Sequence, residues 1–150
     1  MELYYYQDGK AQLSEYEREF IYQNNLRMFN WSNNLTDSDL ANPLSRILLL
    51  YSENTLIGYC GWQEVLDEAS INYIVVDSAF RSCGYGSVLL EKSLNHMRST
   101  GIKFINLEVR ESNQPAIYLY EKFGFEHILT RANYYHQPLE AGYIMQLKLL

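Results

Sequence analysis

Residues 107–125 read LEVRESNQPAIYLYEKFGF. Together with Phe104, Ile105 and Asn106, the start of this stretch alternates along a strand. Ile105, Leu107 and Val109 fall on one face, while Phe104, Asn106, Glu108 and Arg110 fall on the other. Asn113 then supplies an N-cap, and Pro115 lies in the first helical turn, where its missing N–H costs nothing. Ala116, Tyr120 and Phe123 share one helix face, and Gly124 ends the helix. A strand flanked by helices is normally buried on both faces and apolar throughout. Here one face is polar. Two readings are open: an edge strand with one wetted face, or a strand whose polar face opens into a cleft where Glu108 works as a base. Tyr120 alone reads as an ordinary core tyrosine.

Upstream, the apolar runs on either side of Ser52-Glu53-Asn54 predict a hairpin over residues 45–65, and EASINYIVV (68–76) continues it as a third strand. A short strand is expected near Leu3 to Tyr6. A helix is expected from Ser14 to Met28, with Tyr16, Phe20 and Leu26 making an irregular apolar face. FNWSNNLTDSDLANP (29–43) is loop-rich, with Ser38 or Thr36 able to cap a short helix that stops before Pro43. Beyond residue 76 the pattern runs loop, helix, strand, helix and ends in a strand at YIMQLKLL (143–150). Antiparallel strands followed by a βαβα run define an α/β (α+β) fold, a mixed sheet with helices on its faces. With 150 residues and no repeat or linker, a single domain over 1–150 is expected.

VVDSAFRSCGYGSVLLEKSLNHMRSTG (75–101) places a glycine loop between a strand and a helix. Leu90, Leu94 and Met97 form one apolar stripe, and Gly101 sits just past the helix end. Gly84 and Gly86 let backbone N–H groups at the helix start face outward, a geometry suited to a pyrophosphate, and Arg81 adds a cation. A plain glycine turn before a helix fits the same residues. The spacing R-x-x-G-x-G is neither the dinucleotide-binding fingerprint nor a P-loop.

Twelve basic and eighteen acidic residues give a formal charge of −6, which argues against a broad nucleic-acid surface and suits a small cationic substrate or basic peptide. Cys60 and Cys83 read as reduced thiols, and His96, His127 and His136 lack metal-ligand spacing, so no metal is expected. No apolar run reaches the ~20 residues that span a bilayer, and the N-terminus lacks the basic and apolar regions of a signal peptide. A soluble, cytoplasmic protein without a membrane partner is expected.

Three quoted stretches together carry a resemblance. R-x-x-G-x-G after a strand, LEVRESNQPAIYLYEKFGF and RANYY (131–135) resemble the GNAT acetyltransferases, and more narrowly the RimI-type ribosomal-protein alanine N-acetyltransferases. NWSNN (30–34), DLANP (39–43), DEASI (67–71) and YIM (143–145) extend the likeness over roughly residues 20 to 150. The resemblance implies a mostly antiparallel mixed sheet that splays between two central parallel strands, one ending at Val76 and one carrying Glu108, with acetyl-CoA in the V. By that pattern the backbone of Ile74, Val75 and Val76 pairs with the pantetheine arm. The loop Arg81, Ser82, Cys83, Gly84, Tyr85, Gly86 and Ser87 holds the pyrophosphate, and Asn113 contacts the cofactor. Glu108 is the general base and Tyr120 the general acid.

The implied acceptor is an N-terminal peptide, most narrowly the alanine of a small-subunit ribosomal protein, with Tyr134, Tyr135 and Glu140 shaping its slot. RimI-type chains usually carry E-D-A before the last strand, whereas this one keeps Glu140 and has Ala141 in the position of the second acid. A free α-amino group with a pKa of ~7.8 costs only about 1 kcal/mol to neutralise at pH 7, against about 4.6 for a lysine at ~10.4. One carboxylate suits the first case better. Competing readings are a broader N-terminal or small-amine acetyltransferase and a non-catalytic acyl-CoA-binding module.

Overall fold

The computed structural model describes residues 2–6, 13–136 and 138–149. Seven strands form one sheet in the order β1-β2-β3-β4-β5-β7-β6. The strands are β1 (Glu2–Tyr6), β2 (Ser45–Ser52), β3 (Thr55–Val65), β4 (Glu68–Val76), β5 (Phe104–Arg110), β6 (Glu126–His136) and β7 (Leu139–Lys148). All neighbours are antiparallel except β4 and β5, which run parallel. The helices are α1 (Glu15–Phe29), α2 (Asn33–Ala41), α3 (Tyr85–Ser99) and α4 (Gln114–Lys122). This is the mixed sheet expected from the sequence, and β5 lies inside it rather than at its edge.

One core lies on the α3–α4 side. Leu48, Trp62, Ile71, Leu90, Leu94, Met97 and Ile105 meet there. Burying each such side chain contributes roughly 1.5–3 kcal/mol before entropy is counted. A smaller core on the opposite face joins Ile21 of α1 to Leu49, Tyr59, Tyr73 and Val75. Asn72 lies between the two halves of β4. Gly61 pairs with Tyr73 and Trp62 with Ile71, so Asn72 is an extra residue, a β-bulge. Before it, Ala69 and Ile71 enter the larger core; after it, Tyr73 and Val75 enter the smaller one.

Polar bonds as well as apolar contacts dock α1 and α2. Ser14 and Glu17 close a capping box at the start of α1. The buried residues of α1 are Glu17, Ile21, Asn24 and Asn25; of the expected Tyr16, Phe20 and Leu26, Phe20 packs against the smaller core, whereas Tyr16 is 63% and Leu26 53% exposed. Tyrosine hydroxyls from the sheet make that polar face tolerable: Tyr51 donates to Glu17 at 2.5 Å and Tyr59 to Asn25 at 2.6 Å. The cap of α2 is Ser32, which accepts from the Leu35 N–H at 3.1 Å, rather than Ser38 or Thr36. Thr36 is buried and accepts from Asn25 at 3.1 Å.

The sequence reading missed β6 altogether. Nearly every residue of this strand is exposed, so it lacks the apolar alternation that identifies a half-buried strand.

Gly58 supports the β3–β4 pairing in a way that admits no side chain. A Cβ there would lie 2.2 Å from the Val75 carbonyl oxygen. Gly58→Ala is expected to destabilise the fold by about 1–3 kcal/mol, read as a lower midpoint in urea unfolding.

Candidate active site

The β4–β5 ladder consists of Glu68↔Phe104, Ala69↔Ile105, Ser70↔Asn106 and Ile71↔Leu107. It stops where the bulge begins. From there β4 keeps its partners on β3, with Ile74 opposite Cys60, Val75 opposite Tyr59 and Val76 opposite Gly58. β5 keeps its partners on β7 through Arg110↔Gly142. The two strands therefore part, and the first unpaired residues on either side are Asn72 and Glu108.

Two cavities meet in this gap. One, of about 400 Å³, is lined by Ile74, Val76, Arg81, Gly86, Asn113 and Tyr120, among others. The second, of about 840 Å³, is lined by Asn106, Arg110, Tyr134 and Tyr135, together with Arg27 and Trp31 at the end of α1. Both volumes lie in the range of small-molecule sites. Asn72 and Glu108 line both cavities, as do Met28 and Phe29.

At the mouth of the smaller cavity, Gly84 adopts φ 83° and starts α3 without a side-chain cap. The first N–H groups of α3 are thus left for an anion, assisted by the helix dipole. Ser82, at φ 63°, and exposed Cys83 shape the turn before it. Arg81 is engaged: its Nε donates to the Val76 carbonyl at 3.3 Å, and its Nη2 lies 3.0 Å from the Met28 sulfur. Lys122 is a cation that the sequence reading did not single out. Its Nζ lies 3.5 Å from the Ser87 hydroxyl, delivered from the end of α4. Asn113 caps α4 by accepting from the Ala116 N–H at 3.3 Å.

Glu108 and Tyr120 approach the gap from opposite faces of the sheet. Ile105, Leu107 and Val109 belong to the larger core, so Glu108 emerges on the α1–α2 side, with its side chain 35% exposed. Tyr120 is 6% exposed and packs on Phe125 at 5.7 Å between ring centres. Among the described residues no group hydrogen-bonds its hydroxyl, which opens onto the smaller cavity. Burial raises the Tyr120 pKa, and the nearby Cys60 and Tyr135 add to the rise. The proton thus stays on the phenol throughout the neutral range.

Strand β6 brings further groups to Glu108. Arg131 lies 3.6 Å from its carboxylate, and Tyr134 hydrogen-bonds to it, which raises the Tyr134 pKa. Half-buried Tyr135 is pushed up to about 12, first by burial and then by the charge of Glu108. Arg110 stacks over the Tyr135 ring at 4.3 Å.

Glu140 lines neither cavity. Its carboxylate accepts from Arg110 at 2.9 Å, from the Ser112 N–H at 3.1 Å and from the Ser112 hydroxyl at 3.0 Å. It ties the β6–β7 hairpin to the turn before α4. These bonds, Arg110's foremost, hold its pKa below the ordinary carboxylate value. A folded-state pKa that is depressed gives stability present above the unfolded pKa of ~4.3 and lost as pH falls through the folded value. Glu140→Gln is expected to unfold more easily than the wild type at pH ~6 and to lose that disadvantage progressively as acid protonates the wild-type carboxylate, as measured by urea midpoints in a descending pH series.

A parallel pair that parts beside a carboxylate, next to an uncapped helix start, is a slot that can seat a thioester and a nucleophile. The sequence profile of the acetyltransferase (GNAT) family matches residues 8–125. The chain belongs to that family and is an acyl-CoA-dependent N-acetyltransferase. It is 33% identical over 130 residues to the [ribosomal protein bS18]-alanine N-acetyltransferase of Haemophilus influenzae, covering 87% of this chain and 88% of that one. The crystal structure of the ribosomal-protein-S18-alanine N-acetyltransferase from Escherichia coli superposes with a TM-score of 0.84 at 29% identity, covering 98% of this chain and 94% of the other. A Bacillus subtilis acetyltransferase solved in complex with CoA shares the fold, with a TM-score of 0.81 at 17% identity and coverage of 99% and 100%.

Among the described residues no helix is long and apolar enough to cross a membrane. Among the same residues no group of His, Cys, Asp and Glu side chains is arranged to hold a metal ion.

Proposed function

We propose that this protein transfers the acetyl group of acetyl-CoA to the α-amino group of an N-terminal alanine, on a small-subunit ribosomal protein in the cytoplasm. The observation that carries the proposal is the parting of β4 and β5 at Asn72 and Glu108, with the Tyr120 hydroxyl opening onto the same gap. The Haemophilus influenzae and Escherichia coli enzymes named above are ribosomal-protein S18-alanine N-acetyltransferases, which supports the narrow reading.

The pantetheine arm lies along the unpaired edge of β4, at Ile74, Val75 and Val76, like an added strand. The loop from Arg81 to Ser87 holds the pyrophosphate through the first N–H groups of α3, with Arg81 and Lys122 beside it. Asn113 contacts the same arm. The acceptor enters from the larger cavity, past Tyr134 and Tyr135. Glu108 takes a proton from the amine, and the nitrogen lone pair attacks the thioester carbonyl carbon. The C–S bond breaks, and the departing thiolate takes the Tyr120 proton. Tyr134 and Arg131 orient the Glu108 carboxylate. Glu140 holds the hairpin rather than the substrate.

The test is acetylation of peptides beginning with alanine, serine or methionine, and of polyamines, followed by mass spectrometry. Preference for an alanine peptide with a ribosomal-protein N-terminus is the expected result. Equal or better turnover of polyamines would overturn the narrow reading.

A further inference from the structure

Asp39 of α2 is a hub for the sheet. Its Oδ1 accepts from Asn72 Nδ2 at 3.1 Å, Ser45 Oγ at 3.3 Å and Gln63 Nε2 at 3.3 Å, and its Oδ2 accepts from the Tyr73 hydroxyl at 2.8 Å. An ionised carboxylate only accepts hydrogen bonds, so the Asn72 amide must turn its NH₂ toward Asp39. Its carbonyl oxygen is then turned away from Asp39. Asn72 lines both cavities, and no described residue donates to that oxygen.

We propose that Asn72 is an acceptor-binding residue, its amide oxygen fixed toward the gap by Asp39 and taking an N–H of the incoming amine while Glu108 takes the other. This deepens the amine-acetylation reading and rests on it. Asn72 and Glu108 are the first unpaired residues of the two parting strands, so they flank one point. A neutral primary amine has two N–H groups and one lone pair. Two acceptors on opposite walls hold both hydrogens and leave the lone pair for the thioester carbon. A neutral amide oxygen does this without adding a second carboxylate, which would favour the unreactive ammonium. No bond is made or broken at Asn72.

The role makes Asp39 a positioning residue that acts through Asn72. Freed from Asp39, the amide can rotate and offer its NH₂ to the amine instead. The experiment uses the full chain, saturating acetyl-CoA and an alanine-leading hexapeptide. Asn72→Leu is expected to raise the peptide KM about tenfold or more, with kcat nearly kept and the acetyl-CoA KM unchanged, as loss of uniform acceptor binding requires. Asp39→Ala is expected to do the same, and the double variant to be no worse than either single.

Ser45→Ala removes a different Asp39 bond and is expected to leave the peptide KM as it is. Because Asp39→Ala loses four bonds and can unfold, the exposed Asn72→Leu carries the test alone if it does. A peptide KM within about twofold of wild type in Asn72→Leu, with the wild type active, overturns this assignment only. A wild type that acetylates no amine overturns the functional reading and this inference together.

Discussion

Glu108→Gln is expected to lower kcat for peptide acetylation by about 10²–10⁴-fold, the usual worth of a positioned general base. The glutamine keeps the shape of the side chain and can still accept a bond from Tyr134, so acetyl-CoA binding should be retained. It cannot take up the amine proton. Residual activity should rise with pH toward the amine's own pKa of ~7.8, because solution then supplies the neutral nucleophile. Steady-state kinetics from pH 6 to pH 9 (an assay window of about three units) would check both points. A variant running at the wild-type rate would remove Glu108 from the mechanism.

Tyr120→Phe is expected to cost about 10²–10³-fold in kcat, the range seen when one donor to a developing negative charge is removed. Two further outcomes separate this role from packing. The Tyr120 hydroxyl has no hydrogen-bond partner among the described residues, so its loss should leave the unfolding midpoint almost unchanged. Its pKa is raised by burial, so wild-type activity should show no alkaline fall from Tyr120 below the ordinary tyrosine value of ~10. A large drop in stability with little loss of rate would reverse the assignment and leave Tyr120 a core residue.

Much of this was legible from the sequence because each signal had a local cause. The alternation of Ile105, Leu107 and Val109 against Asn106, Glu108 and Arg110 set both faces of β5, and the residues of the buried face enter the core as expected. Asn113, Pro115 and Gly124 bounded α4. What escaped the sequence was contact between distant elements. Strand β6 has no buried face to give it a period, so Arg131 could not be matched to Glu108 in advance. Ser32, Thr36 and Ser38 are equally good caps by type, and the bond from Asn25 to Thr36 decides which of them goes inside the helix. Glu140 carries the charge expected of a substrate contact, yet Arg110 and Ser112 already engage it.

The supernumerary residue in β4 makes that strand sensitive to its length more than to its letters. Deleting Asn72 would restore an even count against β3 and re-zip the two central strands. Everything downstream to Val76 would keep its face, Tyr73 and Val75 toward α1 and Ile74 and Val76 toward α3, because without the extra residue the alternation runs unbroken from Ile71. The opening is thus written in the number of amino acids between Ile71 and Val76, and a one-codon loss there should abolish it where point changes would not.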